Sequence, residues 1–86
     1  MSEIQVGQFF RADGSLTHIP AKASRKIAVL EVIAQKLNMG QRYSERELNE
    51  IILEFHSDTA ALRRHMVEFK ILERDRDSNY WLAQNN

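Results

Sequence analysis

Three residues, His56, Ser57 and Asp58, are all that separates two strongly amphipathic stripes, and no other feature narrows the fold of this chain as much. Upstream, Leu48, Ile51, Ile52 and Phe55 recur at i, i+3, i+4 and i+7, which is one face of a helix and predicts a helix over residues 45–55. Ser44 and Glu47 mark its start as an S-x-x-E capping box, in which hydroxyl and carboxylate each satisfy a backbone N–H that the first turn leaves without a partner. Tyr43 and Leu48 are spaced for a hydrophobic staple across the same start. Downstream, Leu62, Met66 and Phe69 predict a helix over residues 59–70, with Asp58 as its N-cap. Two amphipathic helices with so short a join form a helix-turn-helix.

The flanks extend the pattern. Ile27, Leu30, Ala34 and Leu37 share one face of a helix predicted over residues 23–37, and Gly40 suits its C-terminal stop. Val29, Val32 and Ile33 fall elsewhere on that helix, and a helix apolar on two sides is central, with layers on both. Asp13-Gly14 lies between Phe9-Phe10-Arg11-Ala12 and Leu16-Thr17-His18-Ile19, a hairpin signal because a tight turn wants positive φ at its centre. An irregular turn with one short strand would carry the same residues. This N-terminal unit is the expected cover for the second face of the first helix; the alternative is that Val29 and Val32 face a second copy in a dimer. Residues 71–76 and 80–83 read as strands around Asp77-Ser78-Asn79, turn residues without a glycine. A hairpin directly after a helix-turn-helix is a wing. The expected fold is therefore α+β: a winged helix (winged helix-turn-helix) of three helices, with a C-terminal β-hairpin wing and a short N-terminal hairpin. It is one domain over residues 1–86, with flexible ends at about 1–7 and 84–86.

Size and composition agree with a single small domain. A chain of 86 residues buries roughly 60–70% of its unfolded surface, enough to fold without staples. The absence of cysteine excludes disulfides and thiolate metal sites and allows a reducing compartment. No apolar run approaches the roughly 20 residues of a bilayer span, and residues 1–6 lack the apolar core of a signal peptide, so the expected location is the cytoplasm, away from any membrane. Charge is balanced at 12 basic and 12 acidic residues. It is unevenly spread, with six basic and three acidic groups before Ser44, and six basic and nine acidic from Ser44 onward. A strong nonspecific nucleic-acid binder usually has a basic footprint, and this chain has none overall.

The candidate contacts lie on the third helix and the wing. At about 100° per residue, the face opposite Leu62, Met66 and Phe69 holds Ala60, Ala61, Arg64, Val67 and Glu68, with Arg63 and Lys70 on the flank. Arg64 is the residue suited to base edges there; the alanines and Val67 suit thymine methyl groups or a protein surface equally. Arg63 faces the opposite pull. The second helix carries Glu45, Glu47, Glu50 and Glu54 against a single Arg46, which invites an intramolecular ion pair with Arg63. Arg74 and Arg76 alternate onto one face of the wing strand, beside Glu73, Asp75 and Asp77, a mixed-charge hairpin of the kind that resists edge pairing. Arg63, Arg64, Lys70, Arg74 and Arg76 are thus the candidate nucleic-acid contacts. Tyr80 and Trp81 point to opposite sides of their strand, one closing the core and the other offering a ring to a partner. No catalytic, cofactor or metal constellation appears: His18, His56 and His65 lack ligand spacing, and Glu45 and Glu47 read as cap residues. An enzyme is not expected.

Several of these runs resemble one family. Asp13-Gly14-x-Leu16, Ile19-Pro20-Ala21-Lys22 and Val29-Leu30 are similar to the start of the DUF2087 family. Tyr43-Ser44-Glu45-x-Glu47-Leu48-Asn49-x-Ile51-Ile52 and Asp58-x-x-x-Leu62-Arg63-Arg64-x-Met66-Val67 resemble its central motifs, followed by Leu72-x-Arg74 and Tyr80-Trp81. The final turn departs by lacking a glycine. The resemblance implies a winged-helix-like domain of candidate transcriptional regulators, some of which follow a separate DNA-binding helix-turn-helix in a longer chain, and no catalytic residue carries over. The expected function is double-stranded DNA binding in transcription regulation, by a dimer as most such readers are. The alternative is a protein-interaction or regulatory winged helix without direct DNA binding.

Overall fold

Ser44 ends a strand and begins a helix in the same residue. Its backbone is extended, at φ −67° and ψ 160°, and its side chain accepts from the Glu47 N–H at 3.1 Å. Glu47 completes the box by accepting from the Ser44 N–H at 2.9 Å. In the computed structural model, which describes residues 5–84, this junction joins β1 (Tyr43–Ser44) to α2 (Glu45–Leu53). An N-cap takes extended angles by nature, so the cap that starts α2 also leaves two residues in strand geometry. They pair antiparallel with β3 (Asn79–Leu82), Tyr43 opposite Tyr80 and Ser44 opposite Asn79. Two residues carry no period-2 pattern, and nothing in the sequence signals this third strand.

Asp58 caps α3 (Thr59–Glu68) by accepting from the Ala61 N–H at 3.1 Å. The helix stops short of residue 70 because its end closes as a Schellman motif. The Ile71 N–H bonds the Met66 carbonyl at 2.9 Å and the Lys70 N–H bonds that of Val67 at 3.0 Å, with Lys70 in the left-handed region at φ 61°. The chain then runs through β2 (Leu72–Arg74) and back along β3, giving a three-stranded antiparallel sheet of order β1-β3-β2. Leu72 lies opposite Leu82 and Arg74 opposite Tyr80.

Asp75 organises the turn between β2 and β3. Its carboxylate accepts from the N–H groups of Asp77 and Asn79 at 2.9 and 3.0 Å and from the Asn79 side chain at 3.2 Å. These bonds, the Asn79 N–H foremost, hold its pKa below the ordinary carboxylate value. With no glycine in the turn, Ser78 takes the left-handed conformation at φ 60°. That conformation costs a non-glycine residue roughly 1–2 kcal/mol, more than glycine's extra chain entropy. Ser78→Gly is therefore expected to raise stability by about 0.5–1 kcal/mol, read as a higher denaturation midpoint. A lower midpoint would mean that the 3.5 Å contact of the Ser78 hydroxyl with Arg74 outweighs the backbone strain.

The first helix, α1 (Ala23–Ala34), is shorter than its apolar pattern. The N–H groups of Lys36 and Leu37 reach back only three residues, and Asn38 donates its N–H to the Tyr43 hydroxyl at 2.9 Å instead of to the helix. The second also ends early, at Leu53, where Phe55 bonds back to Ile52. The expectation of a helix covered on two sides holds. Val29, Leu30 and Ile33 are all buried, and α1 packs against both α3 and a 3-10 turn at Val6–Phe9. Val29 is buried within the chain, whereas Val32, the other residue of that face, is half-buried.

The N-terminal hairpin is reduced to a single ladder step, in which the Arg11 N–H bonds the Ser15 carbonyl at 2.7 Å and the Thr17 N–H bonds the Phe9 carbonyl at 2.9 Å. Residues before α1 make one isolated bridge, Phe10 to Leu16. Asp13 folds the turn locally, accepting from the Ser15 N–H and hydroxyl at 2.9 and 2.7 Å, with Gly14 at φ 91°. The Leu16 N–H, which points away from Phe10, bonds the Phe55 carbonyl at 2.7 Å at the end of α2, so the outer side of this segment is clipped to a helix. Of the stretch expected to be flexible, Val6 and Gly7 belong to the 3-10 turn, while residues 1–4 and 85–86 lie outside the described residues. Leu16, Leu48, Ile52, Leu62, Met66 and Tyr80 share one buried cluster, with Phe69 half-buried against it. Among the described residues no helix is long and apolar enough to cross a membrane.

Candidate nucleic-acid interface

The outer face of α3, the first turn of α2 and the β2–β3 hairpin enclose a cleft of about 310 Å³. Ala60, Arg64, Val67 and Glu68 form the α3 wall, Arg74 the hairpin wall, and Tyr80, Glu45 and Arg63 line it from the sheet and helix side. Helical spacing accounts for the first wall: the buried stripe of Leu62 and Met66 turns the opposite residues outward. Strand pairing accounts for the second, since Arg74 lies opposite Tyr80 across β2 and β3.

Three of the five candidate cations meet here. Arg64 is exposed on the outer face of α3, as the helical projection places it. Arg74 is exposed on β2, its guanidinium carbon 5.6 Å from the centre of the Tyr80 ring. Arg63 turns the other way: it donates to the Asn49 side-chain oxygen, sits 3.8 Å from the Glu45 carboxylate and lies 5.9 Å from the Tyr80 ring centre. Its side chain is 17% exposed. The expected ion pair with an α2 glutamate is present, and Glu45 makes it. Lys70 and Arg76 do not line the cleft; Lys70 occupies the left-handed position after α3, and Arg76 is exposed in the hairpin turn.

Glu45 differs from its cap reading. Glu47 alone completes the box, and Glu45 instead accepts from the Tyr80 hydroxyl at 3.0 Å, 35 residues away. Burial, and then this bond, push the Tyr80 phenol above its ordinary pKa, so it stays a neutral donor. Tyr80 is the ring that closes the core. Its neighbour Trp81 is half-buried, donates Nε1–H to Glu73 at 3.1 Å and is covered by Arg42, 4.4 Å from the ring centre. Arg42 also reaches Asp75 at 3.3 Å and so ties the hairpin turn to the segment before β1. Neither contact has a signal in the sequence, because each joins residues more than thirty positions apart whose meeting depends on β1 pairing with β3. Among the described residues no cluster of histidine and acidic groups is arranged to hold a metal ion.

A family model described as "Uncharacterized protein conserved in bacteria (DUF2087)" matches residues 15–82. No curated protein matches, and no solved structure does.

Proposed function

The chain belongs to the DUF2087 family, and from that starting point we propose that it is a winged-helix domain that docks on double-stranded DNA in transcription regulation, with no catalytic role. Helix α3 would enter the major groove with Arg64 toward the base edges, and the β2–β3 hairpin would lie along the backbone as the wing. One observation carries this reading. Most acids around the cleft and hairpin are held by contacts within the chain, whereas three of the arginines there, Arg64, Arg74 and Arg76, meet no carboxylate among the described residues. Glu45 holds Tyr80 and Arg63, Glu68 meets His65 at 3.0 Å, Glu73 holds Trp81, and Asp75 holds its own turn and Arg42. Among the described residues, Arg64 and Arg76 make no ion pair, and Arg74 meets only the Tyr80 ring and the Ser78 hydroxyl. Arginines not tied to a carboxylate are able to turn toward a phosphate backbone even where the net charge is zero.

A protein-contact module is the second reading, favoured by Ala60 and Val67 in the cleft wall and by the balanced charge. Titrating the protein with pooled duplexes at about 50 mM and 200 mM salt separates the two. Phosphate contacts by Arg74 and Arg76 predict binding whose logarithm falls against log salt with a slope of about −2, near −0.9 per phosphate neutralised. Absence of binding at the lower salt would remove DNA docking and leave the protein contact.

A further inference from the structure

Glu45 is placed where a ligand would be. It opens α2 yet takes no part in the cap, and one oxygen of its carboxylate, Oε1, meets both the Tyr80 hydroxyl at 3.0 Å and the Arg63 guanidinium at 3.8 Å. Arg63 and Arg74 both lie within 6 Å of the same Tyr80 ring centre, at 5.9 and 5.6 Å, and Arg64 stands on the facing wall. A phenol donor with guanidinium groups around it is the donor set that recognises an oxyanion, because the planar fork of arginine matches carboxylate and phosphate oxygens. We infer that the cleft is a phosphate-binding site in which Glu45 is an internal stand-in, displaced when an external phosphate enters.

The exchange is physically cheap on the protein's side. The Glu45 side chain is 43% exposed, so it can swing into water without burying its charge. Arg63 stays anchored by Asn49 as it does so, and the Tyr80 ring is held in the core at 2% exposure with its hydroxyl on the Glu45 carboxylate. An incoming phosphate monoester brings about −1.5 to −2 charge against the single charge of the carboxylate it replaces, while a backbone diester matches that single charge and adds a second unprotonated oxygen for the arginine forks. Glu68 also lines the cleft and adds repulsion at its rim. Wild-type affinity is therefore weak, and Glu45 sets it. The phosphate can belong to a DNA backbone, in which case this site deepens the docking reading above, or to a free monoester, in which case it stands without it.

Inorganic phosphate, titrated into wild type, Glu45→Gln, Glu50→Gln and the double variant Glu45→Gln/Tyr80→Phe and followed by backbone amide shifts, tests the site. Glutamine keeps an acceptor for the Tyr80 hydroxyl, and an unchanged thermal midpoint shows that the fold is kept. Glu45→Gln is expected to bind phosphate about five- to tenfold more tightly than wild type, with shifts confined to the cleft. Adding Tyr80→Phe should undo most of that gain. Glu50→Gln removes the same charge from the exposed side of α2 and should stay within about twofold of wild type. The inference is overturned if Glu45→Gln binds no more tightly than wild type, or if Glu50→Gln gains as much. A parallel titration with duplex DNA identifies the source. Tighter DNA binding by Glu45→Gln, alongside tighter phosphate binding, assigns a backbone phosphate. A phosphate gain with no DNA binding at about 50 mM salt assigns a free phosphate and ends the docking reading. DNA binding that Glu45→Gln leaves unchanged, with no phosphate gain, ends the inference and leaves docking intact.

Discussion

Leu62→Ala is expected to cost about 2–5 kcal/mol of stability, the range for a buried leucine whose cavity cannot fully collapse. Leu62 is 0% exposed and lies on α3, the helix that packs against α1, α2 and β2 alike. Relaxation around the missing methyl groups would have to move several elements at once, which places the cost toward the upper part of the range. For a domain of this size each kcal/mol lowers the melting temperature by roughly 4–8 °C, so a drop on the order of 10 °C or more is the expected result in thermal unfolding. Leu53→Ala provides the comparison: Leu53 is 58% exposed, and its loss should stay within about 0.5 kcal/mol. Equal midpoints for the two variants would show that α3 does not bury the face assigned to it.

If the domain docks on DNA as proposed, Arg64→Ala is expected to lose about 1–3 kcal/mol of affinity at the preferred sequence, and to relax the preference at one base, as the loss of a bidentate contact to a base edge does. Arg64 is the one arginine on the outward row of α3, between Ala60 and Glu68 one turn to either side. Arg74→Ala should differ in kind. From the hairpin it would reach phosphates, which position the protein without carrying sequence information, so all sequences weaken alike and the salt slope flattens by roughly one contact. Competition binding across single-base variants of a selected duplex distinguishes the two patterns. A uniform loss for Arg64→Ala would move it from base reading to backbone positioning.

Residues 44–70 show how far the sequence reaches unaided. The capping box, the Asp58 cap and the apolar stripes that bury Leu48, Ile52, Leu62 and Met66 are all interactions within one or two turns of helix, and spacing along the chain is enough to specify them. The same locality makes the α3 outer face, with Arg64 on it, legible in advance, and the pull of acidic α2 on Arg63 as well. The rest depended on which distant groups found each other. Asp13-Gly14 makes its turn as its residues demand and the Phe10–Leu16 bridge closes it, but only the packed position of α2 supplies the Phe55 carbonyl that takes the outward-pointing Leu16 N–H. Tyr43 and Ser44 become a strand because β3 has a free edge beside them. That pairing in turn brings Glu45 to Tyr80 and Arg42 to Trp81. A helix satisfies its backbone from within, so its sequence carries its own instructions. A short strand or a buried hydroxyl takes its partner from elsewhere in the chain, and tertiary packing alone makes that choice.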